Sequence, residues 1–397
     1  MENNSADSIG SCNANSSDLP TILAGPILRH TSAQKLVIWL VTHSDQPMTV
    51  QCFQNNELLT QAAFTSQHEG YVQLGTHAHL HLLQLAPNTP LPQDAWLSYD
   101  IGIGETGKEQ WLKQTIPDLF YLDNTRPNFI IKSRIDHVLH GSCRKPHHNG
   151  RDGLLAVDDA LATARTPDAK MSEQPALLMM SGDQIYADDV AGPMLCAIQQ
   201  IVHLLGLCEE KIEGLDEIFC SSDLPNHQHN LYERNELLPD SKANDTLRET
   251  LFMGARKPIF TSVHSDNHLI SLGEVLSMYL LIWSPELWKH VSLEQIHVPP
   301  EHTKRYATEL QSISQFVKGL ANVRRALAHV PVYMIFDDHD ITDDWNLTVG
   351  WEKAAYDNPF SKRIIGNGLI SYWLCQGWGN EPDNFKAELL DLATRFS

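Results

Sequence analysis

The chain has 397 residues, 49 of them acidic against 29 basic, for a formal net charge of -20. Charge of that sign excludes nonspecific binding to nucleic acid or anionic lipid, which both demand positive potential, and the length exceeds one ordinary hydrophobic core, so two domains are expected. Seven scattered cysteines without a C-x-x-C pair exclude a structural zinc ribbon and a disulfide framework.

Residues 1–20 are rich in Asn and Ser, with neither a basic n-region nor an apolar h-region, and read as a disordered leader that is not a secretory signal. No apolar run reaches the roughly 20 residues of a membrane helix, so a cytoplasmic chain without a membrane span is expected. Residues 21–130 carry short strand-like runs at 36–41, 49–53, 71–74, 80–83 and 96–101, with Asn55-Asn56 as a turn, which predicts an all-β sandwich domain. From residue 131 to 397 apolar strands alternate with helical patterns. Leu154, Leu155, Asp158, Leu161 and Ala162 repeat at helical spacing, as do Ile313, Phe316, Val317, Leu320, Val323 and Leu327. An α/β domain is therefore expected, interrupted by an acidic insertion at about 207–256 that reads as a cover over one sheet edge. Ser265 or Asp266 is expected to cap the helical run that ends near Trp283.

Three apolar runs in this second part end abruptly in candidate ligands. The first leads into Gly141-Ser142-Cys143, the second into Ser181-Gly182-Asp183-Gln184-Ile185-Tyr186, and the third, 332–336, into Asp337-Asp338-His339-Asp340. In open α/β sheets ligands gather beyond the carboxyl ends of the strands, and all three clusters sit there. A buried strand releasing several carboxylates and an imidazole at once gathers charge that a cation would neutralise. A carboxylate such as Asp183 can bridge two metals about 3.5–4 Å apart, with the Tyr186 phenolate on one of them. Each residue also has a plainer reading. Asp183 and Ser181 are ordinary helix-capping types, and Cys143 is a small apolar side chain or a nucleophile activated by Arg144, Lys145, His147 and His148. His339 has the near-neutral pKa of a general acid, while Arg144, Lys145 and Arg151 can clamp a phosphate or stay solvated.

On these three motifs, in this order, the chain resembles the PhoD-type alkaline phosphatases, a branch of the calcineurin-like metallophosphoesterases. The β-rich region before the motifs is similar to that family's N-terminal domain. The resemblance implies an enzyme hydrolysing phosphomonoesters or phosphodiesters through a metal-activated hydroxide, at a site of iron (Fe3+) with calcium or another divalent metal. It implies Cys143 and Tyr186 as iron ligands, Asp183 as the bridge, Asp338 on the second metal, and His339 with Arg144 as catalytic residues. The family's later Gly-Asp-x-His element has no counterpart after Asn346. A fragment of a longer protein, or a site short of ligands, is thus expected. Two other classes remain: a catalytically inactive metal-binding or interaction module, and a cysteine hydrolase using Cys143 with His147 or His148. No sequence feature specifies an oligomeric state.

Overall fold

The computed structural model describes residues 18–215, 217–239, 259–260, 264–294 and 296–384. The leader up to residue 17 and residues 240–256 of the acidic stretch lie outside these.

The β-rich region forms two antiparallel sheets. One holds β1 (Ile22–Ser32), β2 (Lys35–Thr42), β6 (Ala78–Leu85) and β5 (Tyr71–Gly75) in that order. The other holds β4 (Glu57–Phe64), β3 (Met48–Gln54), β7 (Trp96–Ile103) and β8 (Gln110–Trp111), with β9 (Asn128–Ile130) paired to β7. Alternate residues of β2 divide between two cores: Leu36, Ile38 and Leu40 pack toward the second sheet, while Val37, Trp39 and Val41 pack toward the helices. The period of two in a strand explains this division. The first sheet is therefore a middle layer, buried on both faces.

Beyond it, β10 (Val138–Gly141), β11 (Leu177–Ser181) and β12 (Val332–Ile335) form a three-stranded parallel sheet in sequence order. Gly141 pairs with Met180, and Met180 in turn with Met334. Helices α1 (Leu154–Thr163), α2 (Gly192–Leu205), α3 (Leu272–Trp283) and α4 (Thr303–His329) supply the return paths that parallel strands require. Leu178, Met180, Val332 and Met334 bury one face of this sheet with α3 and α4. Helix α4 presents Ile313, Phe316, Leu320, Val323 and Leu327 to that core at helical spacing and feeds directly into β12.

Helices α5 (Val349–Asp357) and α6 (Pro359–Tyr372) follow the last strand, and α6 runs on through a π-helical turn, Trp373–Gly377. Such a turn releases backbone carbonyls from the regular ladder. Here the Trp39 indole N–H donates to the Leu374 carbonyl at 3.0 Å, and the buried Arg29 guanidinium donates to that of Gln376 at 2.6 Å.

Two expectations change. Helix α3 is capped by Ser271, whose hydroxyl accepts from the Glu274 N–H at 3.2 Å, whereas Ser265 and Asp266 sit in a separate 3-10 turn. The Glu274 carboxylate reaches back to the Ser271 N–H and also pairs with the buried Arg234, so this cap holds the preceding loop as well as the helix. The described part of the acidic stretch is no exposed cover. Ile212, Ile218, Leu224, Leu237 and Leu238 build a small core with Ile341, Phe360, Ile364 and Ile365.

The first sheet carries a histidine cluster. The rings of His68 and His81 stack with centroids 5.8 Å apart, and burial pushes His68 down to about 4 and His81 to about 3. Both stay neutral in the folded chain while the unfolded chain protonates near 6.5. Folding stability should therefore be full above pH 6.5 and fall as the pH drops toward 4. Thermal melts of a His68→Gln, His81→Gln variant should show a shallower pH dependence across that window, and an unchanged slope would refute the assignment.

Candidate metal centre

Each strand of the parallel sheet delivers its polar residues within two or three positions of its end. Cys143 follows β10, Asp183 follows β11, and Asp337 and Asp338 follow β12. Register alone places the three loops side by side, and backbone bonds then join them. The Arg144 N–H donates to the Asp183 carbonyl at 2.8 Å, and the Ala187 N–H to that of His339 at 2.8 Å. Gly182 makes the first junction feasible. A Cβ there would lie 2.5 Å from Ser142 Oγ and 3.0 Å from both the Cys143 nitrogen and Sγ, so any side chain would push the loops apart.

Asp183, Asp338 and His339 each offer one ligand atom, and these atoms lie within 4.8 Å of one another. Asp183 is buried, while the other two are half-buried. The Asp183 carboxylate accepts the His339 backbone N–H at 3.0 Å and a hydrogen bond from the Cys143 thiol. Burial raises its pKa, the thiol opposes that shift, and the charges of Asp337 and Asp338 add to it. The Tyr186 hydroxyl hydrogen-bonds both Asp183 and Cys143, and its pKa rises, first by burial and then by the Asp183 charge. Its ring stacks on that of His339 at 4.7 Å between centroids. Cys143, Asp183, Tyr186, Asp338 and His339 thus form one cluster. The raised proton affinity of Asp183 marks a potential suited to cations.

Arg144 stands apart. Its guanidinium is buried, donating to Asp152 Oδ2 at 2.7 and 3.0 Å and to the Ile282 carbonyl at 2.7 Å. All three of its nitrogens are thereby committed inside the protein, and the Phe316 ring lies under it at 4.7 Å. This geometry holds the Cys143 loop against α3 and α4 and leaves little of the group for a phosphate. His147 is likewise occupied, by Asp189 at 3.3 Å.

Two further acids prove central: Asp188, which the sequence analysis did not single out, and Asp340 from its acidic cluster. Asp188 is fully buried and accepts from His339 Nδ1 at 2.9 and 3.1 Å, while its Oδ2 also takes the Asp343 N–H at 2.9 Å. It fixes the imidazole's orientation and assigns the proton of Nδ1. Asp340 is also buried, accepting from the Gln184 N–H at 3.0 Å, the Tyr279 hydroxyl at 2.7 Å and Gln376 Nε2 at 3.0 Å. Burial drives its pKa well above the ordinary carboxylate value. Nothing in the run of acids from 337 to 344, or in Asp188-Asp189, separates these braces from ligands. Their distinction is spatial.

The hydrogen bond that His339 donates to Asp188 is the first cause that raises His339 to about 9, with burial opposing it and the charges of Asp188, Asp183 and Asp338 assisting. The imidazole is therefore protonated at neutral pH in the metal-free chain. In Asp188→Asn its titration, followed by histidine NMR on metal-free protein, should move down toward the ordinary 6.5. A titration that stays near 9 would remove Asp188 from this role.

No protein-family model matches the chain, and no curated protein matches it in sequence. Among solved structures, one of PhoD aligns with 90% of this chain and 47% of its own, at 11% sequence identity and a TM-score of 0.38. The chain spans about half the length of that structure, and the likeness is weak.

Proposed function

We propose that the chain is a PhoD-like metal-dependent phosphoesterase, with a β-sandwich unit at 21–130 and the site carried by 131–397. The observation that carries this reading is the convergence of Asp183, Asp338 and His339 at the ends of adjacent parallel strands. A thiol and a phenol beside them make a donor set that suits a ferric ion. The remaining carboxylate oxygens suit calcium or another divalent ion. Cys143 and Tyr186 would hold the iron, Asp183 would bridge, and Asp338 would hold the second ion. When bound, the ions would supply Lewis-acid neutralisation of phosphoryl charge and a more acidic water.

Hydrolysis forms one bond from a water oxygen to phosphorus and breaks the bond to the leaving oxygen, which must gain a proton. His339 is the group placed to give it. Its Nδ1 is tied to Asp188, which leaves Nε2 as the nitrogen for proton exchange. Asp188 is a positioning residue, and so is Arg144, which braces the loop that carries Cys143. The same 4.8 Å convergence favours a second reading in which His339 is itself a ligand, oriented by a carboxylate in the way metal-bound histidines commonly are. The balance of thiol and acid contacts speaks against a cysteine hydrolase. Cys143 bonds to Asp183, and among the described residues neither His147 nor His148 hydrogen-bonds its sulfur. A cytoplasmic location stays part of the proposal.

The test is direct. The purified chain should carry iron and a divalent ion and should hydrolyse an aryl phosphodiester or monoester, and Asp183→Asn should lower turnover by at least about a hundredfold with loss of metal. Turnover surviving that change would sink the bridging assignment. A chain with neither metal nor turnover would instead support an inactive interaction module. His339→Gln separates the two roles of the imidazole: a proton donor leaves metal content intact and slows esters with poor leaving groups most, whereas a ligand takes metal away with it.

A further inference from the structure

A cleft of about 300 Å³ opens beside the cluster and shares Cys143 and Tyr186 with it. Its remaining wall comes from the loop after Cys143, the start of α1 and the middle of α4. The volume is at the small end of the range for ligand clefts, about 300–1,000 Å³, enough for a single ring system.

The chemistry of the lining is what selects an occupant. Pro146, Leu155, Tyr186 and Phe316 give an apolar and aromatic surface. Three cations also border the cleft, yet each already faces a carboxylate: Arg144 pairs with Asp152, Lys145 with Asp189, and Arg151 with Asp159. A cleft built for a second phosphate would leave cations unmatched to meet it. Here Arg144 and Lys145 are matched by buried carboxylates beside an apolar wall, and Arg151 by a solvent-exposed one. Tyr186 joins the two halves of the site, because its ring stacks on His339 while the residue also lines the cleft.

We infer that this cleft receives the organic group of the substrate, and that the group is a flat, uncharged aromatic ring. This rests on the phosphoesterase reading for the phosphoryl end, which would lie at Asp183 and Asp338. The substrate class is then an aryl or heteroaryl phosphate ester, in preference to alkyl esters and to esters bearing a second phosphate. Ring burial against Leu155, Phe316 and Tyr186 supplies the discrimination, as removal of apolar surface from water does elsewhere.

Gly153 allows a clean test. It borders the cleft, its φ is -60°, and a Cβ built on it meets nothing within 4 Å, so a large side chain there would enter open space. The exposed Gln315 on α4 offers a second, independent position. Binding of phenylphosphonate and methylphosphonate to the metal-loaded chain is measured by calorimetry, and turnover of benzyl and methyl phosphate esters, whose leaving alcohols are of similar acidity, in parallel. The wild type should favour the ring-bearing compound by at least about tenfold in both assays. In Gly153→Trp and in Gln315→Trp that ratio should fall to near one, a change that simple misfolding does not produce because it lowers both arms together. A wild-type ratio near one, or a ratio that survives both substitutions, overturns the inference. If no ester is turned over and phenylphosphonate still binds more tightly, the cleft stands and the phosphoesterase reading falls. If both esters are turned over alike, the reverse holds.

Discussion

Three short strands lying parallel and in register are the constraint on which the candidate centre depends. Residues distant in sequence meet only because β10, β11 and β12 stop at one edge, with helices returning the chain to β11 and β12. The arrangement carries an electrostatic cost. Asp183, Asp188, Asp337, Asp338, Asp340, Asp343 and Asp344 share one edge of the sheet, and burial first, then the potential they create, raises the proton affinity of Asp183, Asp340 and Asp343. Low-dielectric surroundings sharpen such repulsion. Lys145 and His147 do not relieve it at the cluster itself, because both are drawn toward Asp189.

The acids divide by how fully their oxygens are occupied. Asp188 and Asp340 are buried and saturated with donors, and they act as struts between loops. Asp338 is half-buried: one oxygen takes the His339 N–H and the other the Asp344 N–H, which folds the loop back on itself. The strut through Asp340 extends far from the site. Gln376 reaches Asp340 from the π-helical turn, and the carbonyl of the same residue is held by Arg29 from β1. The β-rich layers therefore help to position the cluster, although none of their residues enters it.

Much of the cluster was legible in the chain, because an apolar run that stops at a glycine and a polar burst is readable without any fold. Strands β2, β3, β5, β6 and β7 were legible as short strand-like runs at close spacing. Strand β1 was not, since Pro26, Arg29, His30 and Thr31 interrupt its apolar positions, and neither was α2, which is buried on nearly every side. Asp188 escaped notice because its neighbour Asp189 is identical in type; only folding sends one to His339 and the other to Lys145. Charge alone leaves Arg144 open as a phosphate clamp or a solvated cation, and the structure makes it a buried brace. Its partner Asp152 sits across a loop, where no periodic spacing announces a pair.

The parallel sheet is covered on one face only among the described residues. Leu178, Met180, Val332 and Met334 are buried, whereas Val138, Met179 and Ile335 on the other face are exposed by 42%, 46% and 54%. Parallel sheets usually bury both faces, since helices return on each side. Here packing from one side must hold strands whose ends carry the acidic cluster, so much of the burden of order passes to the loops themselves. The Asp183 carbonyl bonded to Arg144, Asp188 bonded to both His339 and Asp343, and Asp340 bonded to Tyr279 and Gln376 are the contacts that carry it. Hydrogen-bonded loops of this kind keep their geometry only while every buried acceptor is satisfied. The same acids that create the charge problem at the strand ends thus also solve the positioning problem, which ties the order of the centre to its protonation and to whatever cation it holds.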